Sequence, residues 1–381
     1  MLIRSESFEL IAADKDTKAR AGLLHTDHGA VETPVFMPVA TQGAIKALDH
    51  HIAGKLNYHM LLANTYHLYL RPGIEVLRAL GGLHRFMRWN GALLTDSGGF
   101  QVYSLDKLRS ISDDGVQFRS HVDGSLHYFT PESVVLHQRA IGADITMAFD
   151  ECIGYPATYE QAEAAVIRSI RWERQCLDVH RCTEFYYQWR QQLFAIIQGS
   201  TFPDLRRRCI EELCSLPFDG YAIGGLAVGE PRDIMYEVVE RTSDQLPIEK
   251  ARYLMGVGTP QNILRAIALG VDMFDCVMPT RNARNGTLFT TRGRINIRNH
   301  RFKFSDDPLD PEWEALGIEP YSLGYVRHLF ISDEILGLTI ATMQNLAFYR
   351  WLLRTAREKI LEGSFRQWSR QFIERYYPET R

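Results

Sequence analysis

The chain lacks a charge surplus, paired cysteines and any long apolar run, and each absence narrows what it can be. Its 43 Lys and Arg against 46 Asp and Glu leave a net charge of −3, which argues against a uniformly basic coat for nucleic acid. The six cysteines, Cys152, Cys176, Cys182, Cys209, Cys214 and Cys276, include no Cys-x-x-Cys pair. They read as reduced thiols, and none has zinc-site spacing. No apolar run approaches bilayer-spanning length, and Met1-Leu2-Ile3-Arg4-Ser5-Glu6 has no apolar signal core. A soluble cytoplasmic protein with no membrane partner is expected. Solenoid repeats and low-complexity tracts are also missing.

What is present is an ordinary globular composition: 381 residues, 45% hydrophobic and 23% charged, enough for one α/β barrel with a small appendage. Residues 1–34 carry two short apolar segments, Phe8 to Ala12 and Ala19 to Leu24, separated by turn residues, which predicts a small antiparallel sheet. From Val35 on, short apolar runs alternate with longer stretches of helical period, as parallel β/α units do. Eight candidate strands emerge: Val35–Val39, Met60–Ala63, Ala92–Leu94, Ile145–Phe149, Phe194–Ile197, Gly220–Ile223, Tyr253–Gly256 and Asp272–Phe274. The expected fold is therefore α/β, a (β/α)8 TIM barrel over 35–285, with an inserted subdomain at 286–345 and C-terminal helices at 346–381. Tyr159 to Cys176 reads as a crossover helix whose basic face, Arg168 to Arg174, is solvated. Between Leu105 and Phe129 two β-type segments, Val116 to Phe118 and Ser125 to Phe129, meet across an Asp123-Gly124 turn. They read either as a flap over the rim or as a plain surface hairpin.

The residues that follow the strands carry the functional signal. They are Asn64-Thr65-Tyr66-His67, Thr95-Asp96-Ser97-Gly98-Gly99-Phe100-Gln101, Asp150-Glu151-Cys152, Gln198-Gly199, Gly224-Gly225-Leu226-Ala227-Val228-Gly229-Glu230, Gly256-Val257-Gly258 and Asp275 with its loop. Taken singly, a polar or glycine residue after a strand is what any loop needs. In a barrel, however, these positions share the C-terminal rim, where barrel enzymes keep their sites. Asp96, Asp150, Gln198 and Asp275 are thus expected to converge. Two rim carboxylates can divide the labour of glycosyl transfer, one attacking the sugar carbon and the other moving a proton, and Asp275 and Asp96 suit those parts. Asp150 and Gln198 supply acceptor and donor edges for a purine-like base, and Gly224-Gly225 allows close backbone approach. Beyond Asp275 comes a Pro/Asn/Gly loop with Arg281 and Arg284. From Arg281 to Lys303 seven basic residues occur with no acid among them, either a phosphate-binding patch or a solvated hairpin.

These segments, with Phe274-Asp275-Cys276-Val277-Met278-Pro279-Thr280-Arg281, resemble those of bacterial tRNA-guanine transglycosylase, of the queuine tRNA-ribosyltransferase family. The resemblance runs from the N-terminal sheet to the C-terminal helices. It implies exchange of the wobble guanine of GUN-anticodon tRNAs for 7-aminomethyl-7-deazaguanine, through a covalent Asp–ribose intermediate, in queuosine biosynthesis. By similarity Asp275 is the nucleophile and Asp96 the general acid/base. Asp150, Gln198 and the Gly225 backbone read the base, the Leu226 carbonyl accepts the aminomethyl group, and Phe100 and Met255 sandwich the ring. The family often has Tyr at the position of Phe100. Cys152 and Val228 match the pattern for the aminomethyl base rather than bulkier queuine, and Arg281 and Arg284 hold the tRNA anticodon loop. A homodimer is implied as well.

One feature departs from the resemblance. The family carries a structural zinc on Cys-x-Cys-x-x-Cys plus a later His, and the matching positions here are Trp313, Ala315, Ile318 and Gln344. None binds zinc well, so no metal and no other cofactor is expected, with Trp313 and Ile318 as an apolar plug in its place. The alternative function is a non-catalytic tRNA-binding partner subunit of the same fold, which has no chemical need for Asp275 and Asp96. An unrelated barrel hydrolase would require a metal or triad that the chain does not offer. Elemental analysis of the purified protein should find zinc far below one per chain; a stoichiometric ion would contradict this reading.

Overall fold

The computed structural model describes residues 7–104 and 109–377. Met1 to Glu6, and the expected opening of the excursion at 105–108, lie outside them. An antiparallel sheet of β1 (Phe8–Ala13), β2 (Arg20–Thr26) and β3 (Gly29–Thr33) begins the chain. Its third strand was not expected, because the two-residue turn Asp27-His28 is not one of the Asn-Gly or Asp-Gly pairs that mark a hairpin.

Eight parallel strands follow in the anticipated places. They are β4 (Val35–Met37), β5 (Met60–Ala63) and β6 (Ala92–Thr95), then, after an excursion built of β7 (Arg109–Ile111), β8 (Val116–Arg119) and β9 (Leu126–Phe129), β10 (Ile145–Met147), β11 (Gln192–Ile197), β12 (Gly220–Ile223), β13 (Ala251–Leu254) and β14 (Met273–Asp275). The order β4-β14-β13-β12-β11-β10-β6-β5 leaves β4 and β5 at the two ends. Pro38 has no N–H, so β4 stops at Met37. The ring is nevertheless closed just beyond it, where Leu62 donates to the Pro38 carbonyl at 3.1 Å and Ala40 donates to the Leu62 carbonyl at 2.7 Å. Inward-facing Met37, Met60, Leu62, Met147, Ile196 and Met273 fill the interior.

The N-terminal sheet plugs the opposite end of the barrel from the strand C-termini. Phe8, Leu24 and Val31 join the interior cluster. Arg20 forks onto Asp272, just before β14, at 2.8 and 2.6 Å, and its remaining N–H groups reach the Ile248 and Lys250 carbonyls before β13. Further attachments are made by His28 to Asp144 before β10 and by Ser7 to the Asp219 carbonyl before β12.

The excursion is a three-stranded sheet rather than a loose hairpin; β7 was not foreseen, being a three-residue strand in a charged stretch. Phe118 and Phe129 are fully buried, and Phe118 lies 5.5 Å from Tyr66, ring to ring. Its loop is pinned by the crossover helix Tyr159–Cys182, which is longer than expected. Trp172 donates to the Asp113 carbonyl at 2.7 Å and Arg171 pairs with Asp114 at 3.0 Å. Arg168 pairs with Glu151 and Arg174 with Glu212. The basic face is solvated as expected, and its arginines also make ion pairs at the surface.

Beyond the barrel, β15 (Thr287–Thr290) and β16 (Gly293–Asn296) form the expected pair. A 27-residue helix, Ile335–Leu361, then runs across position 345/346 without interruption. Buried Asn345 ties it to the Phe289 N–H and to the Pro279 and Thr287 carbonyls at 2.8–3.0 Å. Arg357 ties it to the Gly22 and Thr33 carbonyls of the N-terminal sheet. Removing Asp272 strands the Arg20 charge in a buried site, so Asp272→Ala should lower unfolding stability by about 3–5 kcal/mol in denaturant titration. A loss below about 1 kcal/mol would mean the plug is held without this pair.

Candidate active site

Asp96 follows β6 and is buried. Asn64, at the end of β5, donates to its Oδ2, and the Thr65 N–H donates to Oδ1 at 2.8 Å. The rim segment Asn64-Thr65 therefore exists locally to orient this carboxylate. Burial outweighs those donors and, with a smaller push from the nearby Asp275 charge, moves the Asp96 pKa up to about 6. Asp275 ends β14, partly accessible. Its Oδ1 accepts from the Tyr253 hydroxyl at 2.6 Å and from the Gly256 N–H at 2.8 Å, leaving Oδ2 free of either. Desolvation raises its pKa against those two donors.

The second carboxylate group sits one gap further round. Asp150, after β10, accepts from Gln198 Nε2 at 2.7 Å and from the Ser97 hydroxyl at 3.1 Å. Burial pushes it to about 6 as well. Gln198 Oε1 is buried without a partner. A Cβ on Gly225 would lie 2.5 Å from that oxygen and one on Gly224 2.8 Å from its Nε2, so the two glycines make room for the amide. Gly225 also has φ +64°, which favours glycine. Ala227 occupies the same left-handed region at φ 58°, held there by Glu230, which accepts from the Ala227 and Val228 N–H groups at 2.6 and 3.0 Å. Leu226 and Cys152 are buried nearby in sequence, and Val228 and Met255 are partly so. Phe100 is 50% exposed on the first turn of the helix Gly99–Ser104.

The segment carrying Arg281 and Arg284 was expected to be a loop and is a two-turn helix, Met278–Arg284, with Pro279 in its first turn. Proline is tolerated there because the first N–H groups of a helix have no partner to lose. The helix sets both guanidinium groups three residues apart on one side. Burial and the neighbouring Arg281 charge depress the Arg284 pKa, and among the described residues neither arginine has an acidic partner. Asn64, Thr65, Ser97, Tyr253 and Glu230 were missed as site residues. Asn64, Thr65 and Ser97 stood in the strand-end motifs, but a hydroxyl or amide there has many uses; Tyr253 looked like core.

Metal ligands are scarce. Of the four positions where the family holds zinc, Ile318 is buried with apolar neighbours and Trp313 packs against the same core. Gln344 is fully buried and donates to the Phe289 carbonyl at 3.0 Å and to Asp310 at 3.3 Å. Asp310, also buried, takes the Thr291 N–H and hydroxyl besides. These residues supply neither thiolate nor imidazole and do not fit zinc. Among the described residues one buried trio of ligand type exists, His28, His84 and Asp144, at the plugged end. Its two imidazoles stack with centroids 3.6 Å apart and planes 12° from parallel, so no single ion can lie in both ring planes.

A barrel with two buried carboxylate groups on its strand-end rim, an amide–carboxylate edge and a cationic helix beside them defines a transferase that acts on a nucleotide of an RNA. The profile of the queuine tRNA-ribosyltransferase family matches residues 14–378. Queuine tRNA-ribosyltransferases of Pelotomaculum thermopropionicum and Caldanaerobacter subterraneus subsp. tengcongensis are 50% and 49% identical over 370 residues, each covering 97% of this chain and 98% and 97% of the relative. That of Moorella thermoacetica is 49% identical, with the same 97% and 98% coverage. The chain belongs to the queuine tRNA-ribosyltransferase family, and is a tRNA-guanine transglycosylase, a pentosyltransferase of queuosine biosynthesis.

With a pKa of about 6, Asp150 is an ionised acceptor only above that pH. Affinity for free guanine should therefore fall about tenfold per unit as pH drops below 6, measured by calorimetry. Asp150→Asn should bind weakly and show no such dependence; a flat profile for the parent would remove Asp150 from the recognition edge.

Proposed function

We propose that the exchange runs as a double displacement centred on Asp275. The observation that carries it is the division of that carboxylate: Oδ1 takes the Tyr253 and Gly256 hydrogen bonds and Oδ2 is left to attack. Oδ2 forms a bond to C1′ of the wobble ribose as the C1′–N9 bond breaks, and the electron pair leaves with guanine, which takes a proton from Asp96. The incoming 7-aminomethyl-7-deazaguanine then gives its N9 proton to Asp96 and attacks C1′, expelling Asp275. A pKa near 6 lets Asp96 trade that proton close to neutrality. To reach the pocket, the target base leaves its stack in the anticodon loop.

Asp150, Gln198 and the Gly225 backbone read the base edge; the partnerless Gln198 Oε1 supports this. Glu230 takes the Ala227 N–H, so the Leu226 carbonyl, antiparallel to it in a trans peptide, faces the other way, as an acceptor for the aminomethyl group must. Phe100 and Met255 cover the faces of the ring, Cys152 and Val228 bound it, and Arg281 and Arg284 grip phosphates of GUN-anticodon tRNA. The working unit is a cytoplasmic homodimer, without zinc, its appendage braced by Asp310 and Gln344 and plugged by Trp313 and Ile318. No described helix is long and apolar enough to cross a membrane.

Labelled guanine should enter GUN-anticodon tRNA with the parent chain, and Asp275→Asn should abolish exchange while tRNA binding persists. A parent that binds tRNA without exchange would instead be the non-catalytic partner subunit. Arg284→Ala should weaken tRNA binding and lower its salt slope by about one unit, leaving guanine affinity unchanged; unaltered tRNA affinity would release this arginine from the interface.

A further inference from the structure

Strands β10 and β11 pair only as far as Met147 and Phe194, with one more bond from the Ala148 N–H to the Phe194 carbonyl. Beyond that point they part, and the gap between them opens at Asp150 and Gln198. Parting strips ladder partners from backbone N–H groups that face the gap, a cost of about 1–3 kcal/mol each if left unmet. Two such groups at the end of β11, and two more N–H groups just past the end of β10, are met by side chains of the two helices outside. The Phe149 N–H goes to Cys176 Sγ at 3.3 Å and the Glu151 N–H to the Ser169 hydroxyl at 3.0 Å. The Ile196 N–H goes to Glu173 Oε2 at 2.8 Å and the Gln198 N–H to Cys209 Sγ at 3.4 Å.

Ser169, Glu173 and Cys176 stand at i, i+4 and i+7 on the helix Tyr159–Cys182, a single face. Cys209 is on the next helix, Pro203–Cys214. All four side chains are fully buried. Glu173 is the unusual member. Its Oε1 has no partner, and no cation pairs with it among the described residues. An apolar face would have packed here at lower cost, so the acceptors are there for the parted strands.

We propose that this stripe is the positioning layer of the base pocket, with Glu173 as its central member: it clamps the parted end of β11 so that the Gln198 amide meets Asp150, 2.7 Å away, where the two strands part. Glu173 acts through the Ile196 N–H, two residues before Gln198 on the same strand face. Burial first, and then the charge of Asp150, raise its carboxyl well above the ordinary range. The proposal rests on the reading of Asp150 and Gln198 as the base edge.

The test compares guanine binding by calorimetry, and the KM values for guanine and tRNA in the exchange assay, for full-length Glu173→Leu and Glu173→Gln. Leucine removes the acceptor and should raise the guanine Kd and KM roughly tenfold, with the KM for tRNA unmoved. Glutamine keeps an acceptor for the Ile196 N–H and should restore both. A purely structural role would lower the active fraction, and hence kcat, at unchanged guanine Kd, which would overturn the proposal. If Glu173→Leu does not fold, Cys209→Ala and Cys209→Ser make the same comparison at the Gln198 N–H; equal guanine Kd in both overturns it. A parent chain that binds no guanine would refute the base-edge reading instead.

Discussion

Three carboxylates, Asp96, Asp150 and Asp275, sit on one rim, and no cation is among the groups that set their ionisation. Ionised oxygens out of water are costly, and neutral donors offset the cost only in part. The donors come from neighbouring strand ends: Asn64 and Thr65 for Asp96, Ser97 and Gln198 for Asp150, Tyr253 and Gly256 for Asp275. Each carboxylate is thus held by another β/α unit than its own. The closed ring of eight strands is what brings those units to fixed separations, and the net desolvation pushes the Asp96 and Asp150 pKa values up to about 6.

The rest of the molecule keeps that ring in shape. At the plugged end the Arg20–Asp272 fork and the His28–Asp144 contact fasten the N-terminal sheet to the starts of β14 and β10. At the other side the long helix Ile335–Leu361 reaches back through Asn345 to the Arg281–Arg284 helix and through Arg357 to the N-terminal sheet. The appendage is organised by Asp310, which gathers Thr291 and Gln344 in a buried polar cluster.

Much of this was legible in the chain itself. Short apolar runs at regular intervals marked all eight barrel strands, because a strand buried on both faces needs continuous apolar side chains. The strand-end motifs marked the rim because carboxylates, amides and glycines gather where those runs end. The third N-terminal strand, β7 and the Met278–Arg284 helix were not legible. Each is three to seven residues long, too short for a period to rise above composition, and each is stabilised by what it packs against.

The sequence by itself determined the barrel and the residues that stand at its strand ends, since these depend on side-chain type and order along the chain. Only the tertiary structure decided which oxygen of Asp275 is left free, why Gly225 must lack a Cβ beside Gln198, and that Ser169, Glu173 and Cys176 meet backbone N–H groups at the ends of β10 and β11. Those are matters of direction and distance between units far apart in sequence. A helix face of Ser, Glu and Cys acquires its meaning only when a backbone N–H without a partner lies opposite it.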